Sequence, residues 1–215
     1  TEVIVINTDT PTVQEHVANF IIQAFMREGM MEWVHEGLST EEKEKGVSFM
    51  MRFILQPVWT KGVVFALVDK ENPSNWLSVA ACFPPDAKAS TLDWIRAGFK
   101  TGRPPHQTTP GWEEANLRLD ALSAIDKNHT KFFDSRRHWY LQNIAAGSGG
   151  RGHGSALMLF LKNLVEEQRV PLWLETAPGN LVFYRDKHKL VEHSVLDIQG
   201  KASRPLACHC MVHNM

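Results

Sequence analysis

A chain of 215 residues with a formal net charge of −1 has no general electrostatic attraction for nucleic acid or for an acidic membrane surface. Its hydrophobic share of 43% and charged share of 22% are those of an ordinary globular protein and argue against disorder. Three cysteines, Cys82, Cys208 and Cys210, are too few and too unevenly spaced for a disulfide framework, and no apolar run approaches the ~18 residues a membrane-spanning helix needs. The chain starts without a methionine, so a trimmed N-terminus is expected; Glu2 and Asp9 stand where a secretory leader would be basic. A reducing, cytoplasmic location is the simplest expectation, with one domain spanning 1–215.

Glu2 to Asn7 reads as a short strand of β-branched residues. Thr8-Asp9-Thr10-Pro11 then starts a helix, with Pro11 near its first position and Thr12 and Glu15 at capping-box spacing. Val13, Val17, Phe20, Ile21, Ala24 and Phe25 recur at helical spacing, and Gly29 is the expected stop. A second helix is expected from near Thr40, with Glu41 and Glu42 in its first turn and Pro57 at its end. Gly62 to Val68 and Trp76 to Cys82 are two strands, and the turn-rich stretch 69–75 between them predicts a hairpin. From Phe83 to Arg137 the chain is broken by proline and glycine, with helical stretches around 92–99 and 113–125. It is too short for a core of its own, so 83–137 is expected to be a helical insert lying over the main sheet.

The stretch from His138 to Tyr184 organises the rest. A strand-like run, 138–146, meets the glycine-rich turn 147–156, then an apolar-periodic helix and a second strand, Leu172 to Thr176. Strand, glycine turn and helix in that order make a site for a phosphorylated ligand, because the N–H groups of the first helical turn have no partners within the helix. No Gly-Lys-Ser/Thr follows the turn, so it is not a P-loop. Gly147, Gly149 and Gly152 fit a dinucleotide fingerprint on paper, but the turn comes late in the chain and Glu166 and Glu167 fall inside the next helix. Leu190 to Ile198 and Leu206 to Val212 are the last two strands. The predicted order is β-α-α-β-β-(insert)-β-α-β-α-β-β, a mixed α/β sheet with a parallel pair at the glycine turn.

Arg151-Gly152-His153-Gly154-Ser155-Ala156 matches the pattern R/Q-x-x-G-x-G/A, and here the chain resembles the GCN5-related N-acetyltransferase (GNAT) superfamily. With Leu174-Glu175-Thr176, Asn180 and Phe183-Tyr184 following in order, it looks most like the puromycin acetyltransferase-like and fungal small-molecule acetyltransferases. The resemblance implies a GNAT (acyl-CoA N-acyltransferase) fold with about seven strands flanked by helices. It implies acetyl-CoA as co-substrate, no metal, and an acetyl-CoA-binding core over 138–195. By the same resemblance Ile144, Ala145 and Ala146 hold the pantetheine arm with their backbone. Arg151, Gly152, His153, Gly154, Ser155 and Ala156 hold the pyrophosphate, Asn180 lies on the pantetheine side, and Tyr184 protonates the departing thiolate. Glycine at 152 and 154 lets the backbone approach a phosphate closely, and a phenol with pKa ~10 keeps its proton at neutral pH.

Glu175 has two readings of equal weight: a general base at the end of its strand, or a structural carboxylate bonded to neighbouring loops. His153 is read first as a solvent-facing position. Cys208-His209-Cys210 is a plain strand before it is a zinc site, and Cys82 is a buried thiol. Most tryptophans belong to the core, with Trp33 and Trp94 placed beside the substrate side by the resemblance. Two departures from the family stand out. Gly147 to Gly150 replaces the usual acid-proline approach, and His188-Lys189-Leu190, with one extra residue, replaces Gly-Phe and predicts an irregular helix end at Tyr184. The function implied is acetyl transfer to a small-molecule amine. A non-catalytic acyl-CoA-binding module and a protein N-acetyltransferase are the alternatives, and monomer and homodimer both remain open.

Overall fold

The structure is a computed structural model that describes residues 1–105, 110–133, 136–147, 152–199, 201 and 204–214. Its seven strands form one sheet: β1 (Glu2–Ile6), β2 (Val63–Val68), β3 (Trp76–Phe83), β4 (Trp139–Ala146), β5 (Leu172–Thr176), β6 (Val191–Ile198) and β7 (Leu206–His213). They lie side by side as β1-β2-β3-β4-β5-β7-β6, with every pairing antiparallel except β4 with β5. The hairpin of β2 and β3 and the parallel pair at the glycine turn are as expected. Among the described residues no helix is long and apolar enough to cross a membrane.

Helices cover both faces of this sheet. On one face α1 (Pro11–Phe25) and α3 (Thr40–Lys61) bury Val17, Ile21, Met51 and Leu55 against Val64, Ala66, Val79 and Ala81. On the other, α7 (His153–Gln168) presents Leu157, Met158, Leu161 and Val165 to Phe65, Leu141 and Leu174. A fully buried leucine contributes about 1.5–3 kcal/mol relative to an exposed one, so these two layers carry the fold.

Several boundaries differ from expectation. Thr10, not Thr12, caps α1: its hydroxyl accepts from the Val13 N–H at 3.4 Å, while Glu15 is drawn to Arg52 of α3. Gly29 does not stop α1, which ends at Phe25; it opens a six-residue helix, α2 (Gly29–Val34), capped by the Glu28 carboxylate. Pro57 does not end α3 either. The missing N–H and the ring clash cost ~3 kcal/mol inside a helix. Here Leu55, Pro57 and Val58 are buried and a Ser39–Glu42 capping box secures the start, so packing carries the helix through to Lys61.

The described residues of the stretch 83–137, expected as an insert, form three helices, α4 (Thr91–Thr101), α5 (Pro110–Ala121) and α6 (Ser123–Phe133), because the predicted 113–125 helix breaks at Leu122. It is tied to the remainder by side chains that sequence periodicity does not reveal. Buried Arg118 donates through Nη1 to the carbonyls of Trp33 at 2.9 Å and Glu36 at 3.1 Å, and Ala121 packs with Val34, Ile198 and Leu206.

Candidate active site

The site begins with a fault in β4. Ala81 of β3 is opposite Asn143 while its neighbour Cys82 is opposite Leu141, so Gln142 is an extra residue on β4. Such a bulge turns the following side chains to the other face and bends the strand. Trp139 and Leu141 pack on the α7 side, whereas Asn143 and Ala145 meet Met51 and the α1–α3 layer. On its other edge β4 pairs with β5 only at Trp139↔Leu172 and Tyr140↔Trp173. From Leu141 to Ala146 the two strands diverge, and β4 is paired with β3 alone. Alternate backbone N–H and C=O groups of Ile144, Ala145 and Ala146 therefore face a gap instead of a ladder.

The N-terminus of α7 opens beside that gap. Gly152 has φ 82°, a left-handed conformation that L side chains rarely adopt, and it offers no side-chain cap to the helix. A Cβ on Gly154 would sit 3.4 Å from the Ala146 methyl carbon, so the helix start and the end of β4 are in close approach. The Ser78 hydroxyl donates to the His153 carbonyl at 3.1 Å and pins the turn to β3. Ala156 N–H is satisfied by the Gly152 carbonyl. His153, Gly154 and Ser155 lie in the first turn, where N–H groups lack intrahelical partners. Arg151 lies outside the described residues.

After β5 the chain makes a 3₁₀ turn, Pro178–Asn180, and then a π-helix, Val182–Lys187. The residue in excess before Leu190 is absorbed there: His188 N–H reaches back five residues to Phe183 O, and Lys189 takes φ 59°. The irregular end expected from His188-Lys189-Leu190 is this widened turn, and it carries Tyr184. Tyr184 is buried, and burial first, then the charge of Glu28, raises its phenol well above the ordinary range. It holds its proton at any physiological pH. Asn180 Nδ2 donates to Thr176 Oγ1 at 3.1 Å and to Glu28 Oε1 at 3.3 Å, while Glu28 Oε2 accepts from the Met30 and Met31 N–H groups. Burial raises the Glu28 carboxyl against those bonds. The start of α2 is thus joined to the turn that presents Tyr184.

Glu175 lies on β5 on the face away from α7. Tyr140 Oη donates to its Oε2 at 2.8 Å and Trp173 Nε1 to its Oε1 at 2.5 Å. Burial pushes this carboxyl up to about 8; the two hydrogen bonds oppose the rise, and the negative charge of Asp126 adds to it. Both readings of Glu175 are served, since it is bonded to its own sheet and also lines open space. That space is a cavity of about 880 Å³. Its lining joins Ala146, Gly154, Asn180 and Tyr184 of the strand gap with Glu175 and with Phe53 and Trp94 of the helical layer.

Among the described residues no group of three His, Cys, Asp or Glu side chains is placed to hold a metal. Cys208 and Cys210 are buried on one face of β7, and His209 pairs with Glu192 on the other. Cys82 is fully buried. Trp94 and Trp112 line the cavity, whereas Trp33 does not: its indole N–H is bound to the Arg204 carbonyl.

No family model matches the sequence, and no curated protein does. Solved structures match over nearly the whole chain at low identity. The C-terminal condensation domain of Ebony, in complex with beta-alanyl-dopamine, aligns with TM-score 0.61 and 8% identity, covering 99% of this chain and 97% of that one. The histone acetyltransferase HPA2 and related acetyltransferase of Corynebacterium glutamicum aligns with TM-score 0.58 and 15% identity over 97% and 93%. The polyamine N-acetyltransferase of Drosophila melanogaster aligns with TM-score 0.54 and 12% identity over all of both chains. The fold is the GNAT fold. Its seven-stranded mixed sheet, parted between β4 and β5, is the part of the sequence reading that these alignments support.

Within the GNAT fold the structure gathers Ile144 to Ala146, Gly152 to Ala156, Asn180 and Tyr184 around the strand gap, with Glu175 farther along the same cavity wall. Cavity residues that escaped sequence reasoning include Glu28, Tyr140, Asn143, Phe53 and Asp126. Glu28 carried no signal, because Ser, Thr, Asp and Asn are the usual N-caps and Gly29 read as a stop. The others come together only through the bulge and the insert.

Proposed function

We propose that the protein is an acetyl-CoA-dependent N-acetyltransferase acting on a primary amine of a small molecule by direct transfer in a ternary complex. The observation that carries this reading is the gap between β4 and β5, which opens at the N-terminus of α7 and continues into the cavity that holds Tyr184 and Glu175. The gap fits acetyl-CoA on two counts: β4 has an unpaired edge for an extended amide-bearing arm, and Gly152 and Gly154 keep the helix start bare for a pyrophosphate. Solved relatives of this fold include an agmatine N-acetyltransferase and a mosquito arylalkylamine N-acetyltransferase-like protein, which supports a small amine as acceptor.

When bound, acetyl-CoA supplies an acetyl group activated as a thioester. The chain's own residues then divide the work. Ile144, Ala145 and Ala146 offer backbone hydrogen bonds along the arm, the Ala146 N–H being the group assigned to the acetyl oxygen as charge develops on it. Gly152, His153, Gly154 and Ser155, with Arg151 before them, hold the phosphates through the helix start, while Ala156, its N–H taken by the Gly152 carbonyl, only closes the first turn. Asn180, fixed by Thr176 and Glu28, steadies the turn on the pantetheine side. Tyr184, protonated at neutral pH by its burial, donates the proton the leaving sulfur needs. Glu175, pushed up to about 8, is matched to take a proton from an amine near neutral pH. One ammonium and one thioester enter; one amide, one thiol and one proton leave. All of this lies in a single domain, 1–215, in which 138–195 binds the co-substrate and 83–137 encloses the acceptor.

The test is release of CoA thiol from acetyl-CoA across a panel of amines, with the product identified by mass. Amine-dependent release with an acetylated product is expected. Binding of acetyl-CoA without turnover on any amine would replace the enzyme by a non-catalytic acyl-CoA-binding module.

A further inference from the structure

The far arm of the cavity has walls of two kinds. The helical layer contributes rings. Phe49 stacks on Phe53 with centroids 6.3 Å apart, and Phe53 on Trp94 at 5.5 Å, and all three line the cavity. Charged lining residues are mostly acidic: Glu28, Asp120, Asp126 and Glu175 stand against Arg27 alone among the described residues. Two of these carboxylates are occupied. Glu28 caps α2 and holds Asn180, and Glu175 accepts from Tyr140 and Trp173.

Asp126 differs from both. It accepts no hydrogen bond from any described residue, yet it lines the cavity close enough to Glu175 and Tyr140 to bear on the charge of each. Its side chain stays exposed to the solvent of the cavity, and the surrounding protein raises its carboxyl with no hydrogen bond opposing the rise. A buried orphan lies in the same lining. Asn143, buried on the cavity floor at 4% exposure, has no partner for Oδ1 among the described residues. A solvated carboxylate and a buried, unpartnered amide oxygen share the cavity with a stack of rings, and both can accept from N–H donors on an otherwise apolar molecule.

We infer that this arm is the acceptor subsite for a primary amine with a flat apolar body, Phe53 and Trp94 taking the body and Asp126 drawing in the ammonium end, an inference that rests on the acetyltransferase reading above. Asp126 is a specificity residue in this scheme. It selects the cation, and Glu175 then removes one proton from it to free the nitrogen lone pair. A hydrophilic amine leaves the rings uncovered, and an unbranched diamine sets its second charge against them. Cation attraction by ring faces does not repay the full hydration of an ammonium.

Calorimetry with 2-phenylethylamine, putrescine and ethanolamine, each with and without saturating CoA, tests this without turnover. Binding of 2-phenylethylamine about tenfold or more tighter than either other amine is expected, a gap of ~1.4 kcal/mol. Asp126→Asn should weaken it about tenfold, and Trp94→Ala by a similar factor, with acetyl-CoA affinity unchanged in both. Two variants on different helices keep the test open should one fail to fold. Equal or tighter binding of putrescine or ethanolamine, or indifference to both substitutions, overturns the subsite while leaving the acetyl-CoA reading intact. Failure of acetyl-CoA itself to bind the wild-type protein would remove that reading instead.

Discussion

The two ends of the cavity are made of different material. The end at β4 and α7 is built from backbone: a strand edge left unpaired, a helix start left uncapped, and glycine where a side chain would intrude. The end under the insert is built from side chains on α3, α4 and α6, brought together from residues 49 to 126 of the chain. Backbone sites need particular residues at fixed spacing, so they leave a pattern in sequence. Side-chain sites need only the right groups to arrive at one place, and many sequences satisfy that. The contrast separates what a GNAT fold requires from what distinguishes this chain.

Substitutions break the comparison at different points. The largest effect is expected from Tyr184→Phe, which removes the proton donor proposed for the leaving sulfur. kcat should fall about 100-fold or more while acetyl-CoA affinity stays within about twofold, because the ring remains in its π-helical turn. Equal loss in rate and affinity, measured by steady-state kinetics beside calorimetry, would make Tyr184 a packing residue.

Glu175→Gln comes next. Its rate effect is expected at about 10- to 100-fold, together with loss of the rise in kcat/KM toward pH about 8. The same group gives a stability signature with a definite sign. Its folded carboxyl titrates near 8, far above the ordinary carboxylate range, so between these limits the folded state holds a proton that the unfolded state has released. Stability from this group is present at low pH and lost as pH rises through about 8. Thermal unfolding from pH 5 to 9 should show the wild-type protein losing ground to Glu175→Gln as pH increases; parallel curves would sink the buried-carboxyl account.

Ser78→Ala sharpens the backbone end alone. It deletes the hydrogen bond to His153 O and should weaken acetyl-CoA binding severalfold, about 1 kcal/mol, with amine selectivity unchanged. Smallest in its bearing on the site is Ser39→Ala. Loss of the capping box of α3 should lower stability by ~1 kcal/mol and leave both binding steps alone, read by denaturant midpoint and calorimetry.

The same contrast explains what could be read in advance. The strand order around the glycine turn, the β2–β3 hairpin and the parallel pair followed from local patterns that the structure keeps. Pro57 misled because a proline signal is local, while the burial of Leu55 and Val58 that overrides it is tertiary. Gly29 was an ambiguous sign: glycine follows helix ends far more often than it opens a short helix capped by an acid. The bulge at Gln142 left no mark, since its length is seen only against β3, and without it Asn143 would face α7 instead of the cavity. Asp126 sat in an insert readable only as helical. Its value comes from lining the cavity without a hydrogen-bond partner among the described residues, and no composition or periodicity reports that.

The central claim is that the gap between β4 and β5 receives acetyl-CoA, and calorimetric titration of acetyl-CoA into the wild-type protein and Gly154→Val tests it most directly. A Cβ at 154 already meets Ala146 at 3.4 Å, so the branched side chain should close the approach to the helix start. The account predicts saturable binding to the wild-type protein, lost about 100-fold or more in a variant with an unchanged circular dichroism spectrum. No binding to the wild-type protein at high micromolar acetyl-CoA, or equal affinity for both proteins, would contradict it.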